Sequence, residues 1–493
     1  MGPWARRAVC LIAIVFCAAP LAAPPIAIGL ATAPATLDPR YAGDAVSERL
    51  CRLVYEALVD FDESFRPVPA LARWESADDR VFRFHLAPGH RFHDGALLTA
   101  EDVVATYRAI LDPRRAAPRR GPLAAITAVR ALDAATVEFE LARPDPLFPG
   151  QLTVGILKHE QAAARGADGR PIGSGPFAVV GRPDSRGLTL ERRRDGMRFR
   201  FHVVPNETVR ALKLARGELD LVQGGLTPET AAWLARQPGV SVETVPGTTF
   251  TYLGFNLAAG PTRDPTVRHA IAQAIDRRAL VEHLWHGQAR LADTPFVPAH
   301  WASGAGAPGV RFDPDAARRA LAALGYDRDH PLVITYKTSS DGLRLRIAQL
   351  IQAELAEIGI ALSIQSYDWG TFYGDIKAGR FELYGLSWVG LKLPDAYRHL
   401  FHSTARPPAG ANRGAYASPR ADALIEAAEA APDPERRRPL YAALVRVLAE
   451  DLPIVPLWYE DTVVAIRTGL ANYRSDADGS YDGLVHLTPI ADD

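Results

Sequence analysis

Between Leu332 and Trp388 the chain alternates apolar extended runs with helical ones, and this order restricts the fold more than any other feature. Leu332–Tyr336 (LVITY) reads as a buried strand, and the amphipathic run IAQLIQAELAEIGI behind it reads as a helix. Ala361–Tyr367 is a second strand, with Tyr367 and Trp369 at its end. Phe381–Leu386 is a third, ending at Trp388. Strand–helix–strand units of this kind build an α/β sheet whose strand ends open onto a ligand crevice. Here those ends carry aromatic rings and almost no reactive groups. Such a pocket holds a molecule rather than converting it.

The opening MGPWARRAVCLIAIVFCAAPLAAPP has a basic start (Arg6, Arg7), an apolar run from Ala8 to Ala19, and small residues at Ala22 and Ala23. That run is too short for a stable membrane anchor, and the order matches a secretory signal peptide over residues 1–23, cleaved near Ala23. Phe16 before Cys17 and Val9 before Cys10 argue against lipidation. The mature chain is thus expected to be exported and soluble. Without Arg6 and Arg7 it carries 54 Lys+Arg against 57 Asp+Glu, a formal charge of −3, which argues against a nucleic-acid surface. Only Cys51 then remains; in CRLVYEAL it lies on a helix with apolar neighbours and reads as a small buried hydrophobe. With no disulfide, the fold rests on its core, most naturally in two or three domains.

Along the chain, IAIGL is a short strand, followed by the turn TLDPR and a helix through Arg49, Val54 and Leu58. Val81–Leu86 alternates as a strand, and Thr99 with Asp102 forms a capping box that opens the helix Ala100–Ile110. GSGPFAVV (173–180) suggests the chain crossing from one lobe back to another. TYLGFN (251–256) suggests a second crossing, followed by a helix over Pro265–Trp285.

Catalytic signals are sparse. His85, His90 and His93 in HLAPGHRFHDG can meet across a strand–turn–strand, but a polar hairpin tip is the plainer reading. His283 and His286 are three apart with Glu282 beside them, whereas zinc-protease chemistry needs two histidines four apart with a glutamate between. RSDADGSYDG lacks the ligand order and closing glutamate of a calcium loop and reads as a turn. No serine elbow or phosphate loop is present. No metal site, cofactor or catalytic residue is therefore assigned.

The aromatic residues are distinctive. Tyr367, Trp369, Tyr373, Trp388 and Tyr397 lie within about thirty residues, and rings in a closed cleft stack on peptide bonds or chelates and attract cations. The competing reading is core filler. Lys337, Arg344 and Arg346 follow the strand Leu332–Tyr336 and can face an anionic ligand group, although the two arginines also suit the wet face of a helix. The candidate ligand-binding set is Trp388, Trp369, Tyr367, Lys337, Arg344 and Tyr252 of TYLGFN.

The chain also resembles a known family, the large "family 5" solute-binding proteins of ABC importers for dipeptides, oligopeptides and nickel. The landmarks run in order through TLDP (36–39), YEALV (55–59), FHLAPGHRFHDGALLTAEDVV (84–104), GSGPF (173–177), ARGELDLV (215–222), YLGFN (252–256), VRHAIAQAIDR (267–277), FDPDAARRALAALGY (312–326), IQAELAEIGI (351–360), SYDWGTF (366–372) and LPIVPLWY (452–459). The resemblance implies a two-lobed periplasmic-binding-protein fold of type II, in its large form with an extra subdomain, joined by a two-strand hinge. On it, lobe I spans 24–43, 173–250 and 463–493; the extra subdomain spans 44–172; lobe II spans 251–462. It further implies a periplasmic monomer that closes on a small peptide or similar solute and delivers it to an ABC permease in the inner membrane.

One departure stands out. Peptide-binding members of the family carry an acidic residue three positions after the tryptophan of their GW motif, where it holds the peptide amino group. In SWVGLKLPDAYRH that position is Leu391. Asp395 lies further on and is a candidate replacement, at a different acidic position of the pattern. An ammonium buried without a carboxylate costs several kcal/mol, so a modified or cyclic peptide, a metal chelate or another small polar molecule stays open as ligand. An exported hydrolase, or a sensor or chaperone serving another partner, is a further alternative.

Overall fold

Two long strands, Val240–Phe255 and Ile454–Arg467, pair antiparallel along most of their length and carry the architecture. Their ladder is interrupted between Val245 and Thr249. Pro246 has no N–H to donate there, and at Gly247 a Cβ would lie 2.2 Å from the Glu460 carbonyl oxygen, so only glycine permits the approach. This irregularity splits one ladder into two halves that belong to different parts of one large sheet, and it forms a two-strand hinge between two lobes. The computed structural model describes residues 24–163, 171–304, 306 and 309–490; the expected export signal lies outside the described residues.

The sheet runs in the order Ile360–Tyr367, Leu332–Ser339, Leu383–Trp388, Val240–Phe255, Ile454–Arg467, Leu221–Gln223, Ile26–Leu30, Arg198–Val203, Gly187–Arg192 and Phe177–Asp184, with Ala289–Leu291 beside Ile454–Arg467. One side of the hinge is built on Ile28, Phe177, Phe199, Phe201 and Leu221. The other is built on Leu253, Ile271, Ile334, Ile351, Leu383 and Trp458. A separate four-stranded antiparallel sheet of Ala72–Ser76, Val81–Leu86, Thr136–Leu141 and Ile126–Ala131 packs under the helix Ala100–Leu111, with Phe84, Tyr107, Phe139 and Phe148 between them. Both capping-box bonds of Thr99 and Asp102 are made. Cys51 is buried in the helix Ala45–Val54, which ends at Tyr55 before reaching Leu58.

Two further expectations change. GSGPF does not cross the hinge: it leads from the region of the four-stranded sheet into Phe177–Asp184, the edge strand on the same side. The helix expected over 265–285 breaks. Pro265–Ala274 ends at Ile275, in extended backbone, and the Asp276 carboxylate caps a new turn by accepting from the Ala279 N–H. The break lets Arg277 turn inward and donate to the carbonyls of Ala292, Pro456 and Val310. The histidines of HLAPGHRFHDG are held apart: His85 faces Glu75, His90 faces Glu56, and His93 bonds the main chain of Gly173 and Gly175. Among the described residues no helix is long and apolar enough to cross a membrane.

Candidate functional site

The central strand Leu332–Ser339 has Ile360–Tyr367 on one side and Leu383–Trp388 on the other, both parallel to it. Right-handed connections to opposite sides place their helices, Gly342–Ala356 and Trp369–Lys377, on opposite faces. Chain direction therefore switches at the carboxyl ends of these strands, where a crevice opens. Those ends are Ser339, Tyr367 and Trp388, beside the hinge.

Residue alternation then sorts the side chains. Trp388 pairs in register with Phe250, Ser387 with Thr251, and Leu386 with Tyr252. Phe250, Tyr252 and Trp388 thus share one face with Tyr384, Phe372 and Tyr459. Thr251 and Ser387 share the other with Glu460, whose carboxylate accepts from both hydroxyls and pairs with Arg344 at 2.7 Å. Burial favours the neutral acid at Glu460, but Arg344 outweighs it and holds this carboxyl below its usual range.

On the aromatic face, Trp388 is half-buried, and the Arg413 guanidinium stands 5.0 Å from its ring centre. Arg413 donates to the Tyr252 and Tyr373 hydroxyls, each at 3.2 Å, and lies 5.5 Å from the Tyr373 ring centre. Beside it is a cavity of about 20 Å³ bordered by Tyr252, Tyr384, Trp388, Asn412, Arg413 and Tyr416, enough for one oxygen-sized group.

The remaining sequence-derived candidates separate. Tyr367 is partly buried, and the Lys337 ammonium lies 5.5 Å from its ring centre. Lys337 lies inside its strand rather than after it, and it pairs with Asp375 at 2.6 Å, so its charge is already matched. Trp369 opens the helix Trp369–Lys377, capped by Asp368, instead of ending a strand; it is 57% exposed and stacks on Tyr373 at 5.3 Å, away from the cavity beside Arg413. Arg346 reaches Glu229 at 2.8 Å. Asp395 precedes the helix Ala396–Phe401; burial, then Asp145 and Glu429, push its carboxyl up to about 7. Leu391 packs against the apolar cluster that contains Tyr397, Leu400 and Tyr441.

Sequence reasoning did not single out Arg413, Glu460 or the pair Lys392–Asp478. The Lys392 ammonium, two residues before Pro394, meets Asp478 at 2.7 Å and lies 5.5 Å from the Phe61 ring centre. RSDADGSYDG is a turn, as read, and it brings Asp478 to Lys392. Arg346–Glu229 and Arg143–Glu429 also join segments far apart in the chain. The Lys392 carbonyl accepts from His300 Nε2 at 2.9 Å, while Nδ1 of His300 accepts from the Ala302 N–H. Burial pushes His300 down to about 4, so the ring is neutral at pH 7 and fixes this segment.

Residues 65–407 match the family described as bacterial extracellular solute-binding proteins, family 5. A relative, di/tripeptide-binding protein 2 of Pseudomonas aeruginosa, is 30% identical over 91% of this chain and 92% of its own. Among solved structures, DppA of Helicobacter pylori in complex with the peptide STSA superposes with a TM-score of 0.83 at 25% identity, covering 94% of this chain and 98% of that one. NikZ of Campylobacter jejuni in complex with Ni(L-His) gives 0.83 at 21% identity, over 94% and 99%. With a match over most of its length and a fold shared nearly end to end, this chain belongs to the family 5 bacterial extracellular solute-binding proteins.

Proposed function

We propose that the chain is the extracytoplasmic solute-binding component of an ABC importer, taking up short peptides between its two lobes and handing them to an inner-membrane permease. The observation that carries this reading is the hinge-side crevice. Trp388 is half-buried there, and on this reading Lys392–Asp478, Arg346–Glu229 and Arg143–Glu429 meet across the hinge. Groups that meet across a hinge favour the closed form, and a permease that recognises that form senses occupancy. The name of the Pseudomonas relative adds di- and tripeptides as the solute class.

Several features fit capture rather than turnover. Glu460 is tied to Arg344 and Asp375 to Lys337, so the charge of each of these two carboxylates is already matched. The reading includes a monomer in the periplasm, released from its signal near Ala23. A metal chelate is the second reading, favoured by the apolar packing of Leu391 where a peptide ammonium would need an acid. A thermal-shift screen of di- and tripeptides, followed by calorimetry and a search for cleaved products, tests both. Saturable binding without cleavage supports peptide capture. Stabilisation by nickel–histidine alone moves the assignment to chelates, and product formation overturns the binding role.

A further inference from the structure

Seven described arginines are at least nine-tenths buried: Arg40, Arg192, Arg210, Arg268, Arg277, Arg413 and Arg437. Three meet carboxylates, Arg40 with Asp38, Arg192 with Asp195 and Arg277 with Asp293. Three donate to main-chain carbonyls: Arg210 to Val204 and Gly225, Arg268 to Leu452 and Asp451, and Arg437 to Ala431. Arg413 has neither. Its acceptors are two phenol oxygens, its other neighbours are the faces of Trp388 and Tyr373, and the oxygen-sized cavity lies against it. A guanidinium stays charged and offers five N–H donors, and a buried charge without an opposite partner is costly. Its field is felt nearby: burial, then Arg413, pushes His399, edge-on to Trp388, down to about 4.

We infer that Arg413 is a receptor for a carboxylate group of the solute, which enters beside Trp388 and supplies the missing counter-charge. The inference rests on reading the crevice as a solute site and deepens it. The subsite next to Trp388 is cationic, and the position three residues on, Leu391, is apolar, so the solute is recognised there by its anionic end. Free peptides, N-blocked peptides and other carboxylates satisfy this; C-terminally amidated neutral peptides do not. One carboxylate oxygen fits the cavity and can accept from the guanidinium, whose planar, fixed donors a lysine ammonium reproduces only in part.

The test is calorimetry of the intact mature protein with Ala-Phe, N-acetyl-Ala-Phe, Ala-Phe amide and Glu-Phe amide. Wild type, Arg413→Met, Arg413→Lys and the exposed control Arg420→Met are compared. Ala-Phe and its N-acetyl form are expected to bind alike. Amidation is expected to raise Kd at least about thirtyfold, the penalty for leaving a buried charge unpaired. Binding of Glu-Phe amide would show a side-chain carboxylate serving in place of the terminal one. Arg413→Met should abolish the preference for Ala-Phe over its amide, and Arg413→Lys should restore part of it; if the methionine variant does not fold, the lysine variant carries the comparison. Equal binding of Ala-Phe and its amide to wild type overturns the inference. If no peptide binds, the peptide reading fails separately, and thermal shift with sodium acetate and sodium succinate against sodium chloride still decides the anion site. Stabilisation by the carboxylates that is lost in Arg413→Met supports it, and none in wild type rejects it.

Discussion

Replacing Lys392 by alanine tests whether contacts across the crevice set the affinity. The ammonium lies 2.7 Å from the Asp478 carboxylate, with the two side chains 19% and 13% exposed. At an effective dielectric of about 20 the Coulomb attraction at that distance is roughly 6 kcal/mol, and desolvation of both groups cancels most of it. Asp478 would not be left bare: Arg52 acts on it, and one carboxylate oxygen accepts from the Ser480 N–H at 2.9 Å. With the ring contact to Phe61 included, a net loss of about 1–2 kcal/mol in closed relative to open protein follows. That lowers the closed population, and weakens Ala-Phe binding, by about 5- to 30-fold where the ligand-free protein is mostly open. The Lys392 carbonyl, held by His300, is untouched by the change. Calorimetry gives Kd, and small-angle scattering at an Ala-Phe concentration near the wild-type Kd should show a larger radius of gyration for the variant. Asp478→Asn should act in the same direction, with the double variant well short of the sum. Unchanged Kd, or strict additivity, would refute a closing role for the pair.

Three further outcomes are expected. Trp388→Ala should weaken peptide binding at least about tenfold with an unfolding cost near 1–2 kcal/mol, because the ring is only half-buried; a large fall in unfolding midpoint with unchanged affinity would make it a core residue. Leu391→Asp puts a carboxylate among apolar side chains and should cost about 1–3 kcal/mol of stability by chemical unfolding. It should improve binding of free dipeptides if the missing acid governs amine recognition, and no gain retires that idea. Burial raises the Glu354 carboxyl from the ordinary 4.5 to about 7, so the folded state holds this proton more tightly than the unfolded chain. Its contribution is greatest below pH 4.5 and is lost as pH rises toward 7, by at most about 3 kcal/mol. Glu354→Gln should therefore be more stable than wild type at pH 8 and about equal at pH 4; the same difference at both pH values contradicts this.

The strand–helix–strand order around Ile334 and Leu383 was legible because buried strands and amphipathic helices have different periods, and the Thr99 capping box because its partners are three residues apart. The break after Ala274 was not. It depends on Arg277 finding the carbonyls of Ala292, Val310 and Pro456, far along the chain. Trp369 looked like a strand end until Asp368 supplied a helix cap. The charge pattern of the crevice was hidden for the same reason. Lys337 with Asp375, Arg344 with Glu460 and Lys392 with Asp478 are pairs that only the fold brings together, and they decide which charges remain to meet a ligand. Arg413, in the loop GANRGAY, shows nothing unusual as a letter. Its distinction is what it lacks, a carboxylate or carbonyl partner, and that is visible only once the chain is folded.

The most direct measurement is native mass spectrometry of the protein exported from cells in rich medium and purified gently, before and after unfolding and refolding without ligand. The account predicts an adduct of di- or tripeptide mass on the first sample, absent from the second and regained on adding Ala-Phe. A protein that carries no adduct and takes up neither Ala-Phe nor any other di- or tripeptide would contradict it.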